Sequence, residues 1–480
     1  MIITFFFGAS FETDAFYVAY RIPNLFRRLL AEGTLSTTLV PFFTEANLSK
    51  DKLLFQTLRN NVFTIVFSAL LIITALFYYF SSELVNIFAF GFDDETKNLS
   101  SELLKRMSPF LFLISLSALN TGLLNSIKRF NAPAFSPVLM NLGIIGTITV
   151  SYFYFTIDIY ILSYAVLLGA LLQYAFQIPF ILKNNLGYGF NFNNVVNSKT
   201  KEILKVIFPQ IFGLAIYNIN ILINTQFASF MEKGSITYLY LAERLIEFPL
   251  GIFAVSIATT TLPDLTKHYV NKNFSKFSDT INEKLKFLLF LSTPFAVALI
   301  ILGQDLCFIL YSRGEFTLDD ANLTYRALLA YSFGLVFVAG VRLLVQAFYA
   351  TKNTKLPVLF GAYNLVINFF LCYALGFYFN LGFLGLALAS SASSFFLFLF
   401  LILKLKDLFN EIKLKEILKY FILISSMSSF SILFSQKIIQ YFFNDASKVF
   451  SITLIILLSA VAFCSLSRMI KLKELKMIFR

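Results

Sequence analysis

From residue 61 to residue 467 the chain is a nearly unbroken series of apolar stretches, each about twenty residues long, separated by short polar connections. No other feature constrains the fold as much. A stretch of that length spans the hydrocarbon of a bilayer as a helix, and within lipid its backbone amides and carbonyls must pair inside the segment. The expected fold is therefore all-α and polytopic. With 58% hydrophobic residues, 14% charged residues and a mean hydropathy of +0.75 over 480 residues, a soluble fold would leave too much apolar surface in water.

Spanning helices are expected at roughly 13–45, 61–80, 107–127, 133–155, 159–182, 206–230, 235–262, 287–311, 327–349, 356–378, 382–403, 417–436 and 449–467. Met1 to Phe7 would climb only about 10 Å as a helix and cannot span alone. Of the 39 basic residues, 26 fall in alternate connections and the carboxy-terminal tail, and eight in the intervening connections. Positive-inside bias then places the carboxy terminus in the cytoplasm. The net charge of +12 is dispersed through short loops, which points to a bilayer and not to nucleic acid. Cys307, Cys372 and Cys464 show no ligand spacing and read as core fillers, and His268 stands alone in a basic loop, so no metal or cofactor is expected. The chain has 61 Phe and no Trp, so Tyr and Phe must furnish the interfacial aromatic belts.

The chain also resembles itself at a separation near 220 residues. Arg106 and Pro137-Val138-Leu139 pair with Arg326 and Pro357-Val358-Leu359, while Pro41 pairs with Pro263. The expected organisation is an amino-terminal lobe over 1–182, a cytoplasmic linker over 183–205, a carboxy-terminal lobe over 206–403, and two extra helices with a basic tail over 404–480. Two such lobes, related by a pseudo-twofold axis, would place a transporter's substrate site between them.

Five arginines lie inside the apolar stretches: Arg21, Arg27, Arg28, Arg244 and Arg342. A cation in mid-bilayer costs about 2.5–3.5 kcal/mol on insertion scales, so such residues face a wet cavity or a ligand. Thr13 to Glu45 would extend about 50 Å if continuous, longer than a bilayer, and Pro23 and Gly33 should bend or loosen it. Arg21 and Arg28 share a face there, and Arg28 pairs with Glu32 at i,i+4 spacing. In the second lobe Arg244 and Glu247 sit one turn apart ahead of Pro249. These pairs either brace the bundle or leave a cationic excess for an anion; guanidinium forks suit phosphate and pyrophosphate. Asp14, at the outer end of the first segment, reads as a helix cap or a ligand contact. Arg342 either lines a cavity or pairs with an acid elsewhere.

Phe7-Gly8-Ala9, Thr13-Asp14-Ala15-Phe16, Pro23-Asn24-Leu25-Phe26-Arg27-Arg28 and Ala31-Glu32-Gly33 form a block that resembles the MurJ (MviN) lipid II flippases of the multidrug/oligosaccharidyl-lipid/polysaccharide exporter superfamily. Arg244-Leu245-Ile246-Glu247-Phe248-Pro249, Leu262-Pro263 and Phe348-Tyr349 ahead of Pro357 extend the likeness through nearly the whole chain. The resemblance implies two six-helix lobes and two final helices that help form an apolar groove for a polyprenyl tail. It also implies pyrophosphate binding by Arg27 and Arg244, with Glu32 and Glu247 as functional acids. Family members open with a full first helix bearing two more arginines in an S-R-x-x-G-x-x-R-D pattern. Only its last turns are present, and a start further upstream is the expectation. Some members bind sodium through carboxylates in the second lobe; the matching helices here offer Asn218, Asn220, Asn224, Asn364 and Asn368 but no acid, so no sodium site is expected.

The function this implies is flipping of a lipid-linked peptidoglycan precursor by alternating access, with no bond made or broken. The partners are the lipid-linked oligosaccharide and the phospholipid bilayer of the bacterial cytoplasmic membrane, with peptidoglycan-synthesis machinery as a candidate. The alternatives are export of another polyprenyl-linked oligosaccharide, or a membrane-embedded polyprenyl-phosphate transferase. The transferase would need clustered acids for Mg²⁺ or a base.

Overall fold

The computed structural model describes residues 1–29, 36–49, 51–154, 157–193, 195, 197–443 and 447–478. In chain order the helices are α1 (Ile2–Phe7), α2 (Phe11–Arg27), α3 (Ser36–Leu48), α4 (Lys52–Tyr79), α5 (Ser81–Phe88), α6 (Asp94–Ser126), α7 (Asn131–Tyr154), α8 (Tyr160–Lys183) and α9 (Ser198–Ala228). There follow α10 (Ser235–Pro249), α11 (Ser256–Val270), α12 (Phe274–Tyr311), α13 (Leu318–Ala350), α14 (Lys355–Tyr373), α15 (Gly382–Phe409), α16 (Leu414–Phe442), α17 (Lys448–Met469) and α18 (Lys473–Ile478). Eleven spans among the described residues are long and apolar enough to cross a membrane. The helices outrun the apolar windows at their polar ends. There, side-chain caps set the boundary: Asp93 accepts the Thr96 amide at 2.9 Å to start α6, and Thr317 and Asp320 form a capping box at α13. His268, expected in a loop, lies in the last turn of α11.

The described residues divide into two compact units, one of residues 9–236 and one of residues 3–8 with 237–480. The sequence reading drew its boundary earlier and gave α9 to the second lobe. In the structure α9 is tied into the amino-terminal unit. Arg21 donates to Thr225 Oγ1 at 2.7 Å, the Gly91 amide to Ser229 Oγ at 2.9 Å, and Lys199 pairs with Glu45 at 2.9 Å. Part of the expected linker is stitched to the same unit. The Gly189 and Asn191 amides donate to Asn60 Oδ1 and Thr64 Oγ1, Tyr188 donates to Asn120 Oδ1, and the Tyr188 ring stacks on Phe63 at 4.2 Å. Arg59, only 6% exposed, donates to the Asn185 carbonyl at 3.0 Å.

The carboxy-terminal unit receives α1. The Glu315 amide donates to the Phe5 carbonyl at 2.9 Å, and Gly8 and Gly314 take φ of +59° and +62° where the two backbones meet. Later in this unit, α12 packs against α13 and α16, and α16 against α17.

The internal repeat is visible at a separation of 224 residues. Caps Asp93 and Thr317, helix ends Ser126 and Ala350, turn residues Lys128 and Lys352, and helix starts Asn131 and Lys355 all correspond. Pro133 thus pairs with Pro357. The sequence pairing of Pro137 with Pro357 slipped by one helical turn, a spacing that leaves a proline on nearly the same helix face. Arg106, expected to open a helix, lies well inside α6 with its guanidinium 3.8 Å from the Tyr160 ring centroid.

Six serines within the apolar spans find their acceptors on their own helix. Ser292, Ser332, Ser428, Ser435, Ser459 and Ser467 each donate to the carbonyl four residues earlier at 2.6–2.8 Å. The exposed aromatic pairs Tyr78-Tyr79, Phe153-Tyr154, Tyr378-Phe379 and Tyr441-Phe442 sit at helix ends entering four connections of the less basic set. They supply the belt that Trp would otherwise form.

Lys128, Lys272, Lys352 and Lys471 end helices with φ between +54° and +61°, a region glycine enters without strain. Lys352→Gly is expected to stabilise the detergent-solubilised protein by about 0.5–1 kcal/mol, read as a higher melting temperature. An unchanged or lower value would show that the lysine gains more from the α13 dipole than it loses in backbone strain.

Candidate functional site

In the amino-terminal unit α2 begins with a Ser10–Thr13 capping box, which settles the place of Asp14. Asp14 was read as a helix cap or a ligand contact, and the cap is made by Ser10. The Asp14 carboxylate, 3% exposed, instead accepts the amide of Gly234 at 2.7 Å. Arg21 is 7% exposed and donates to Thr225. Both side chains therefore help pack α2 against the segment from α9 to the start of α10.

Pro23 sits inside α2, and the helix passes into π geometry at Arg28 and Leu29. Arg27 and Arg28 are half-buried at this change, and Arg27 Nε donates to Asn24 Oδ1 at 2.7 Å. The Arg28 amide still bonds the Asn24 carbonyl, so Arg28 keeps the face it shares with Arg21 two turns earlier. Glu32 and Gly33 lie outside the described residues.

The carboxy-terminal unit repeats the device. α10 ends at Pro249, a π segment follows over Leu250–Val255, and α11 continues from Ser256. Arg244 is half-exposed ahead of the break. Its Nη1 donates to Glu247 Oε2 and its Nη2 to Tyr240 Oη, each at 2.7 Å, and its guanidinium lies 4.7 Å from the Tyr240 ring centroid. The pair expected from sequence is present, with Tyr240 as an addition. Tyr240 is one turn before Arg244, a spacing legible in the sequence. Arg342 of α13 donates to the Leu250 carbonyl at 3.5 Å, where the π segment begins. Its acceptor is thus a backbone carbonyl, and no acid pairs with it among the described residues.

A cavity of about 240 Å³ lies among α12, α16 and α17, lined by Phe290, Pro294, Phe295, Ile432, Ala460 and Phe463, among others. Its wall is almost wholly apolar and suits a hydrocarbon chain. Cys464, expected as a core filler, is exposed and belongs to this wall, while Cys307 and Cys372 are buried. Asn364 and Asn368 are buried in α14, and Ser393 donates to Asn368 Oδ1 at 3.3 Å.

The family model described as lipid II flippase MurJ matches residues 3–468. The chain belongs to the MurJ family. A probable lipid II flippase MurJ of Buchnera aphidicola subsp. Acyrthosiphon pisum is 35% identical over 392 residues, covering 81% of this chain and 76% of that one. A probable lipid II flippase MurJ of Vibrio cholerae is 32% identical, with 79% and 74% covered. A solved structure of lipid II flippase MurJ in an inward closed conformation has a TM-score of 0.80 at 28% identity, covering 98% of this chain and 95% of that one. An inward-facing multidrug transporter of the MATE family gives a TM-score of 0.71 at 15% identity, which shows a shared fold. MurJ proteins are named as flippases, which are transporters rather than enzymes. The MurJ resemblance read from the Phe7 to Gly33 block and the Arg244 to Pro249 block is thereby confirmed, as is the polytopic all-α fold.

Proposed function

We propose that this chain moves lipid II from the cytoplasmic to the outer leaflet of the bacterial cytoplasmic membrane by alternating access. Arg27, Arg28 and Arg244 hold the pyrophosphate. Glu32 and Glu247 set the guanidinium orientations, while Asp14, Arg21 and Arg342 keep the broken helices in place. The observation that carries this reading is an arginine on a helix that passes from α to π geometry in each unit, Arg28 at the change itself and Arg244 six residues before it. Such breaks free backbone groups that survive in a membrane only beside protein or water, and π turns recur at functional sites. The apolar cavity of α12, α16 and α17 takes the polyprenyl tail. The carboxy terminus lies in the cytoplasm, on the side with 26 basic residues. Peptidoglycan-synthesis machinery consumes the flipped substrate and is the expected partner.

Outward movement of an anion across an inside-negative membrane gains about 2.3 kcal/mol per charge per 100 mV, provided the arginines do not move with it. In proteoliposomes loaded with labelled lipid II, an imposed potential is expected to speed flipping several-fold, and an ionophore to abolish the gain. Equal rates with and without the ionophore would remove the potential as the drive. Movement of a different polyprenyl-linked oligosaccharide but not of lipid II would reassign the substrate. Chemical conversion of the lipid would make the protein a transferase.

A further inference from the structure

We propose that a cationic pocket at the junction of α6, α7 and α8 binds the phosphate of an anionic phospholipid head group, separately from the transported lipid. The cavity holds about 270 Å³. Lys128, Arg129 and Lys183 supply its charge, Leu124, Phe130 and Phe180 its apolar side, and no acid lines it. None of the three cations has an ion-pair partner among the described residues. At about 30 Å³ per water the space equals roughly nine waters, enough for a phosphate with its glycerol.

Position matches chemistry. Three spans, α6, α7 and α8, end or begin here, so the pocket stands where hydrocarbon gives way to head groups. Phe130 and Phe180, 57% and 38% exposed, flank it and can meet the first methylenes of an acyl chain. Arginine offers phosphate a two-pronged donor and the lysines add point charges; basic pockets between spanning helices bind anionic lipid heads in this way.

A purely structural role for these cations is answered by the internal repeat. The turn after α13 has the same backbone as the turn after α6. Lys128 and Lys352 have φ of +61° and +60°, and the next amide donates to the Leu124 carbonyl at 2.9 Å in one and the Phe348 carbonyl at 3.1 Å in the other. Yet Asn353 and Thr354 stand where Arg129 and Phe130 stand in the first copy. The turn and the helix dipole are served by one lysine, so Arg129 and Phe130 are additions that the fold does not require.

The test uses the full chain in detergent, titrated with phosphatidylglycerol, phosphatidylcholine or inorganic phosphate and read by native mass spectrometry. Replacing Lys128, Arg129 and Lys183 together by Ala is expected to weaken one phosphatidylglycerol site about a hundredfold, at roughly a factor of five per charge. Phosphatidylcholine binding should not change, and the pair Lys128→Arg with Lys183→Arg should keep the site. If the triple variant fails to fold, Arg129→Gln alone is expected to weaken the site about fivefold. Unchanged phosphatidylglycerol affinity would overturn the proposal, as would an equal loss for both lipids. Displacement of the lipid by millimolar inorganic phosphate would overturn the lipid assignment in favour of a soluble anion. Failure of the lipid II flipping assay leaves this result unaffected, because bound phospholipid is read without transport.

Discussion

Arg244→Ala is expected to slow lipid II flipping about 30- to 100-fold in proteoliposomes and to fail to rescue a bacterium depleted of its own flippase, as is Arg27→Ala. The size follows from losing one or two charge-assisted hydrogen bonds to pyrophosphate, each about 1.5–3 kcal/mol. Folding should be almost unaffected. Arg244 is half-exposed, and its pair with Glu247 at i,i+3 spacing contributes only a few tenths of a kcal/mol. Arg244→Lys should fall between, since it keeps the charge but loses the planar fork and the face presented to Tyr240. Normal flipping by both alanine variants would remove these residues from the substrate site. Loss of rescue with a lowered melting temperature would assign Arg244 a bracing role instead.

The largest stability effect is expected at Gly314. It has φ +62°, and a Cβ there would fall within van der Waals contact of the Phe5 carbonyl oxygen, the acceptor for Glu315. Both the left-handed backbone and the clash oppose a side chain, so Gly314→Ala should cost about 2–4 kcal/mol. Because the obstacle is backbone, no side-chain rotation relieves it. The cheapest response is release of α1, and protease cleavage near Phe5 to Gly8 should then accelerate. A control at Gly251, where a Cβ meets nothing within 4 Å, should cost far less. Equal melting temperatures for Gly314→Ala and wild type would show that this junction contributes little.

The array of spans was legible because lipid leaves the backbone few choices, and the pattern of apolar length follows directly. Helix ends were less so: Asp93 begins α6 well before the apolar window at 107, through a capping bond that hydropathy does not register. The pair Arg244–Glu247 could be read from its spacing. The partners of Arg21 and Asp14 could not, because Thr225 and Gly234 are more than two hundred residues away and no local period encodes them. The same limit applies to α9, whose hydrophobicity fits either unit and whose polar contacts in the structure run to the amino-terminal unit. Arg342 was read as lining a cavity or pairing with an acid, and no acid pairs with it among the described residues. A break in a helix offers a carbonyl instead, and Pro249 was the available signal.

The hydroxyls that bond back along their own helices have a mechanical consequence. A serine satisfied by the carbonyl four residues earlier makes no claim on a neighbour, so at Ser292, Ser428 and Ser459 the span needs no polar match from another helix. At those positions a shift of one helix past another exchanges dispersion contacts and ruptures no serine hydrogen bond.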